Sequence, residues 1–154
     1  MNETGPEVYR EIVIRARPET IFGFLTEASQ LLKWMGVEAT LTPVPGGTFR
    51  LSPNGRDVIR GEFVEVVPYT KVVFTWGYER PGEGRPPPGS TTVEITLEAR
   101  EDGTLVRLRH GGLAGATRAR HAAGWLHYLS RLEVACRGGD PGPDSLAAPG
   151  IVHG

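Results

Sequence analysis

Hydrophobic and polar residues alternate with a period of two through most of this chain, and two stretches depart from that pattern. Tyr9 to Ala16 alternates, with Ile12 and Ile14 on one side and Glu11, Val13 and Arg15 on the other, which predicts a half-buried strand. Pro18 and Glu19 then suit a first helical turn: proline has no N–H to leave unpaired there, and glutamate favours the positive helix end. Ile21, Phe22, Leu25 and Ala28 continue at helical spacing. A second short helix is predicted from Ser29 to Met35, with Ser29 as its cap, Leu31, Leu32 and Trp34 as its apolar side and Gly36 as its end. Six strand signals follow: Glu38–Thr42, Thr48–Ser52, Val58–Val67, Lys71–Gly77, Thr91–Arg100 and Thr104–His110. The clearest is Thr91 to Ala99, with Val93, Ile95, Leu97 and Ala99 inward and Thr92, Glu94, Thr96 and Glu98 outward. From Gly115 to Arg137 the period becomes helical, and His121, Trp125, Tyr128, Leu129, Leu132 and Cys136 form one stripe. Gly138-Gly139 stops the helix.

Short Gly-containing turns join most of the strands, so the sheet reads as an antiparallel meander with one wet face. The order is strand, two short helices, six strands, one long helix: an α+β domain over residues 1–138 with a Gly/Pro-rich tail over 139–154. One joint is different. Gly77 to Gly89, GYERPGEGRPPPG, has 8 Gly or Pro in 13 residues where a short turn would suffice. It reads either as a semi-stiff flap at a sheet edge or as a passive linker.

Composition narrows the function classes. With 17 Lys+Arg against 18 Asp+Glu, and the basic residues dispersed, there is no nucleic-acid footprint. No apolar run is long enough to span a membrane. The start, MNETGPEVYREIV, has neither the basic nor the apolar region of a signal peptide, so a cytoplasmic protein is expected. The single Cys136 rules out an internal disulfide. The high count of 21 Gly and 13 Pro argues against an all-helical fold, and the 77–89 loop and the tail supply much of it.

A curved sheet gripping one terminal helix leaves space between the two, and such spaces are the usual form of a small-ligand site. Trp34, Phe74, Trp76, Trp125 and Tyr128 are placed by their periodicity to wall it, or simply to pack the core. The residues also carry a resemblance. Pro18-Glu-Thr-Ile, Lys33-Trp-Met, Pro45-Gly-Gly-Thr-Phe-Arg, Arg60-Gly-Glu-Phe-Val-Glu-Val-Val-Pro, Val72-Val-Phe-Thr-Trp, Leu105-Val-Arg-Leu-Arg-His and His121-x-x-Gly-Trp follow in order over residues 8–137. Together they resemble the family named after activators of the heat-shock protein 90 ATPase, in the START-like (SRPBCC) helix-grip superfamily. The resemblance implies a helix-grip fold around a hydrophobic cavity. It implies less about chemistry, because relatives include chaperone activators, polyketide cyclase-like enzymes and self-resistance proteins. The eukaryotic activators resemble this chain in only one of their two domains.

Candidate chemistry is sparse. The four histidines, His110, His121, His127 and His153, show no metal-ligand spacing, and no metal or cofactor is expected. Cys136, on the helix stripe, reads as a core filler. No residue is assigned a catalytic role. If Val106 and Leu108 face inward, Arg107 and Arg109 face water and His110 faces the cavity, where it can approach His121. Each of these histidines either braces the strand-to-helix turn or meets a ligand. The sequence thus predicts a binder of a hydrophobic, planar small molecule, with Trp34, Phe74, Trp76, His110, His121, Trp125 and Tyr128 as its site. A cyclase-like enzyme and a chaperone-related interaction module are the alternatives, and a homodimer is compatible with either.

Overall fold

The computed structural model describes residues 7–82, 85–113 and 115–147. His153 therefore lies outside the described residues. Seven strands form one antiparallel sheet in the order β1-β7-β6-β5-β4-β3-β2: β1 (Glu7–Ile14), β2 (Glu38–Leu41), β3 (Thr48–Ser52), β4 (Ile59–Val67), β5 (Lys71–Trp76), β6 (Thr91–Arg100) and β7 (Gly103–Gly111). Consecutive hairpins build β2 to β7, and β1 closes the row by pairing Ile12 with Val106 and Val8 with His110. The helices are α1 (Pro18–Thr26), α2 (Ala28–Leu31) and α3 (Gly115–Cys136). This is the α+β helix-grip architecture, with α3 held against the inner face of the sheet.

The alternation in the strands does what period two requires. Val93, Ile95 and Leu97 are buried on β6, and Val106 and Leu108 on β7, while Arg109 is exposed and half-exposed Arg107 pairs with Glu98 at 3.1 Å. His110 is fully buried on the same face as Val106 and Leu108. Ala99, expected to face inward, is exposed; it sits one pair from the β6–β7 turn, opposite Thr104, beyond the core. The sheet is distorted in β4, where the register shifts between Phe63 and Glu65. Just before the shift a side chain at Gly61 would strike the Thr75 carbonyl oxygen at 1.9 Å, so only glycine allows the strands this close approach.

The first strand runs over Glu7–Ile14, two residues earlier than expected, and the second short helix needs correction at both ends. The second helix begins at Ala28 behind Glu27, without a Ser29 side-chain cap, and ends at Leu31. Lys33, Trp34 and Met35 continue as turns whose amides bond back to Gln30 and Leu31. The helix α3 ends as the glycines require. Gly138 takes a φ of 84°, Gly138 N–H bonds to Ala135 O at 3.0 Å, and Gly139 N–H reaches Val134 O at 3.0 Å. The chain beyond then packs back on α3. Arg131 donates to the carbonyls of Pro141 and Pro143, and Asp144 accepts from the Tyr128 hydroxyl at 2.6 Å and contacts His127 Nε2 at 2.7 Å.

Candidate functional site

The space between sheet and helix divides into a sealed inner end and a narrow slot. At the inner end Phe49 and Phe74 stack with centroids 4.1 Å apart, and Phe63 meets both edge-on. Trp34 is buried here, donating its indole N–H to Phe24 O at 2.9 Å. The room left between these rings is about 10 Å³, less than one water needs. Trp34 and Phe74 therefore sit in packed core, and neither lines the slot.

His110 lines neither space, and its partners fix its tautomer. Trp125 Nε1–H donates to His110 Nδ1 at 2.9 Å, so the Nδ1 atom carries a lone pair and Nε2 carries the proton. That proton points to Thr91 Oγ1 at 2.8 Å, and the Thr91 hydroxyl donates onward to Trp76 O at 2.7 Å. Every polar atom in this relay is used. Burial, and then the neighbouring His121, push the His110 pKa down to about 3, so the ring is neutral near pH 7. His110 holds Trp125 and the β6–β7 edge in place.

His121 is the opposite case. It lies at ring-centroid distance 5.1 Å from His110 and perpendicular to it. Its Nδ1 is 2.9 Å from Thr117 O, one turn back on α3. A carbonyl only accepts, so Nδ1 holds the proton and Nε2 is a bare lone pair. That Nε2 is buried and has no hydrogen-bond partner. Burial lowers the His121 pKa, the bond to Thr117 opposes this, and the charge of Arg120 lowers it further. The ring is held neutral with its acceptor unused.

The slot beside this atom is lined by Met35, Leu51, Pro53, Ile59, Trp76, Tyr78, His121, Gly124, Trp125 and Tyr128. Its walls are mostly aromatic or aliphatic, no carboxylate of the described residues lines it, and its enclosed space is about 30 Å³. That holds a water or two and falls well below the ~150 Å³ cavity that admits benzene. The roomy apolar cavity expected from the sequence is thus corrected: the inward aromatics fill it, leaving a partly open slot at one end. Trp76 Nε1–H also lines this space; it lies near the Tyr78 hydroxyl without completing a well-formed hydrogen bond.

Of the seven sequence-derived site residues, Trp76, His121, Trp125 and Tyr128 meet at the slot, His110 stands directly behind it, and Trp34 and Phe74 do not reach it. Tyr78 was missed because it opens the Gly/Pro-rich segment, where no period marks an inward side. The described residues of that segment are anchored, not loose. Tyr78 N–H bonds to Pro86 O, Tyr78 bridges to Ile59, and Gly82 bridges to Arg85. Arg85 pairs with Asp57 at 2.9 Å and lies over the Tyr78 ring at 5.7 Å. Tyr78 is buried and its phenol pKa is raised by that burial. Gly124 had a signal: a glycine inside a long helix costs about 1 kcal/mol unless the absence of a side chain is useful.

Among the described residues no group of three or more His, Cys, Asp or Glu side chains is placed to hold a metal. Cys136 is partly buried against the core, with its thiol pKa pushed up to about 12 by desolvation. No described helix is long and apolar enough to cross a membrane.

Comparison with known proteins gives the geometry a context. Residues 15–137 match the family described as Activator of Hsp90 ATPase homolog 1-like protein. An AHSA1-like protein from Rhizobium etli is 38% identical, with 99% of this chain and 98% of that one aligned and a TM-score of 0.72. The Aha1 dimer from Colwellia psychrerythraea is 25% identical over 84% of this chain and 95% of that one, at TM-score 0.73. DynU16, a putative protein in the dynemicin biosynthetic locus, shares the fold at 21% identity and TM-score 0.77; this chain covers 49% of its length, and 90% of this chain is aligned. No curated protein matches the sequence.

Proposed function

The chain belongs to the family of Activator of Hsp90 ATPase homolog 1-like proteins, and from that premise we propose that it is a small-molecule-binding protein whose ligand enters the slot beside His121. The observation that carries this is the buried, unpartnered His121 Nε2 at a mostly apolar wall. A buried acceptor without a partner costs about 1–3 kcal/mol, and a ligand O–H or N–H recovers that energy. The ring walls of Trp76, Trp125, Tyr78 and Tyr128 favour a planar group. Because the enclosed space is about 30 Å³, the ligand inserts only an edge. The membership of DynU16 in a biosynthetic locus supports a ligand of that small-molecule kind, and the Colwellia dimer supports a homodimer.

A cyclase-like reaction is the second reading, since the same lone pair can take a proton. The lowered His121 pKa weakens it as a base, and among the described residues no carboxylate lines the slot to act with it. Binding therefore fits the site better than proton transfer. Titration of the ¹⁵N-labelled protein with 2-naphthol and with 2-methoxynaphthalene separates the elements of this reading. We expect 2-naphthol to shift the indole signals of Trp76 and Trp125 and to bind about five-fold tighter than the methyl ether, one net hydrogen bond. His121→Leu should erase that preference. The absence of any shift at these indoles with either compound would overturn the proposal.

A further inference from the structure

Tyr78 lines not only the slot but also a second, polar pocket of about 200 Å³, together with Arg56, Asp57, Val58, Glu79, Arg80 and Arg85. The two carboxylates of this pocket are already matched. Asp57 receives both terminal nitrogens of Arg85, at 2.9 and 3.3 Å, and Glu79 is paired with Arg60 at 2.8 Å. Arg56 and Arg80 have no carboxylate within ion-pair distance among the described residues. A further cation approaches from the helix side: Arg120 Nε is buried without a partner, and its charge reaches both Tyr78 and His121. Among the described residues, the Tyr78 ring is thus shared by an apolar slot and by a pocket whose guanidinium groups outnumber its carboxylates. Its centroid lies 6.5 Å from that of His121 and 5.7 Å from the Arg85 guanidinium carbon.

We infer that the arginine-lined pocket receives a carboxylate of the ligand whose apolar edge enters the slot, so that the ligand class is a planar organic acid with a hydrogen-bond donor at its far end. This rests on the slot reading above and adds a charge requirement to it. Guanidinium forks fit carboxylates in a bidentate manner, and a charge-assisted bond is about twice as strong as a neutral one. The neutral His121 acceptor then selects a hydroxyl or N–H at the inner end, where a second anion would meet a lone pair.

The test compares 6-hydroxy-2-naphthoate with 2-naphthol at neutral pH and low salt, in the wild type and in an Arg56→Gln/Arg80→Gln variant. Both arginines are exposed, and an unchanged melting temperature would show that the variant folds. We expect the naphthoate to bind about ten-fold tighter than the naphthol in the wild type. That advantage should shrink to less than about three-fold in the variant, and likewise in about 0.5 M salt. Equal affinities in the wild type, or an advantage that survives in the variant, would overturn the inference and leave the slot reading standing. Failure of both compounds to bind would overturn the slot reading itself, and this inference with it.

Discussion

Two histidines with ring centroids 5.1 Å apart occupy regions that treat them in opposite ways. At the end of β7, His110 is wedged among aromatic rings and both of its nitrogens are consumed, by Trp125 and by Thr91. One helix face away, His121 shows an equally buried ring, but only its Nδ1 is used. Burial alone does not separate the two; both are 1% exposed or less. The difference lies in whether the second nitrogen has been given a partner. One imidazole has a side-chain partner at each nitrogen and the other a single backbone partner, so the first holds shape, and the second, in the proposed reading, is left for a ligand.

The largest effect that would test this division is on stability. His110→Ala removes two buried hydrogen bonds, strands the Trp125 indole N–H and leaves a void, so chemical denaturation should show a loss of about 3 kcal/mol or more. A loss below about 1 kcal/mol would mean that the relay does not brace the fold.

Next in size is the response to acid. The folded-state His110 pKa of about 3 lies below the ~6.5 of an unfolded histidine, so below pH ~6.5 the unfolded chain binds the extra proton. Stability is therefore complete above pH ~6.5 and falls as the pH drops towards about 3, with a slope from this residue approaching ~1.4 kcal/mol per pH unit. His121, whose pKa is also lowered, adds to the slope in the same direction. Denaturation curves across this range should be steep in the wild type and visibly flatter in His110→Ala. Identical slopes would contradict the assignment of a neutral, sealed His110.

The smallest effect sharpens the other side of the comparison. His121→Leu gives up one bond to Thr117 O but removes the orphaned acceptor, so its stability should stay within about 1 kcal/mol of wild type. A loss as large as that of His110→Ala would place His121 in the supporting core.

The strands were legible in the sequence because a half-buried antiparallel sheet writes its geometry as period two. Thr48–Ser52 and Thr91–Arg100 match the observed β3 and β6 to the residue, and the long helix differs at one end by a single residue. The site was legible only in part. Periodicity placed Trp76, His121, Trp125 and Tyr128 inward, and that is where they converge. It could not say that Phe49, Phe63 and Phe74 interlock and close the inner space, because volume depends on how rings from three strands meet. Nor could it separate the two histidines. The partners of His110 come from β6 and from the middle of α3, and Tyr78 reaches the slot from a segment with no pattern to read. Such pairings are products of the tertiary fold, and local sequence carries no trace of them.

The central claim is that His121 keeps a bare, available Nε2 while His110 does not. Long-range ¹H–¹⁵N correlation of the two imidazoles, recorded with and without 2-naphthol, reads this directly. The account expects opposite tautomers, Nε2–H for His110 and Nδ1–H for His121, with added 2-naphthol moving the His121 Nε2 resonance and leaving both His110 nitrogens in place. Matching tautomers, or a His121 Nε2 resonance that saturating 2-naphthol leaves unmoved, would contradict it.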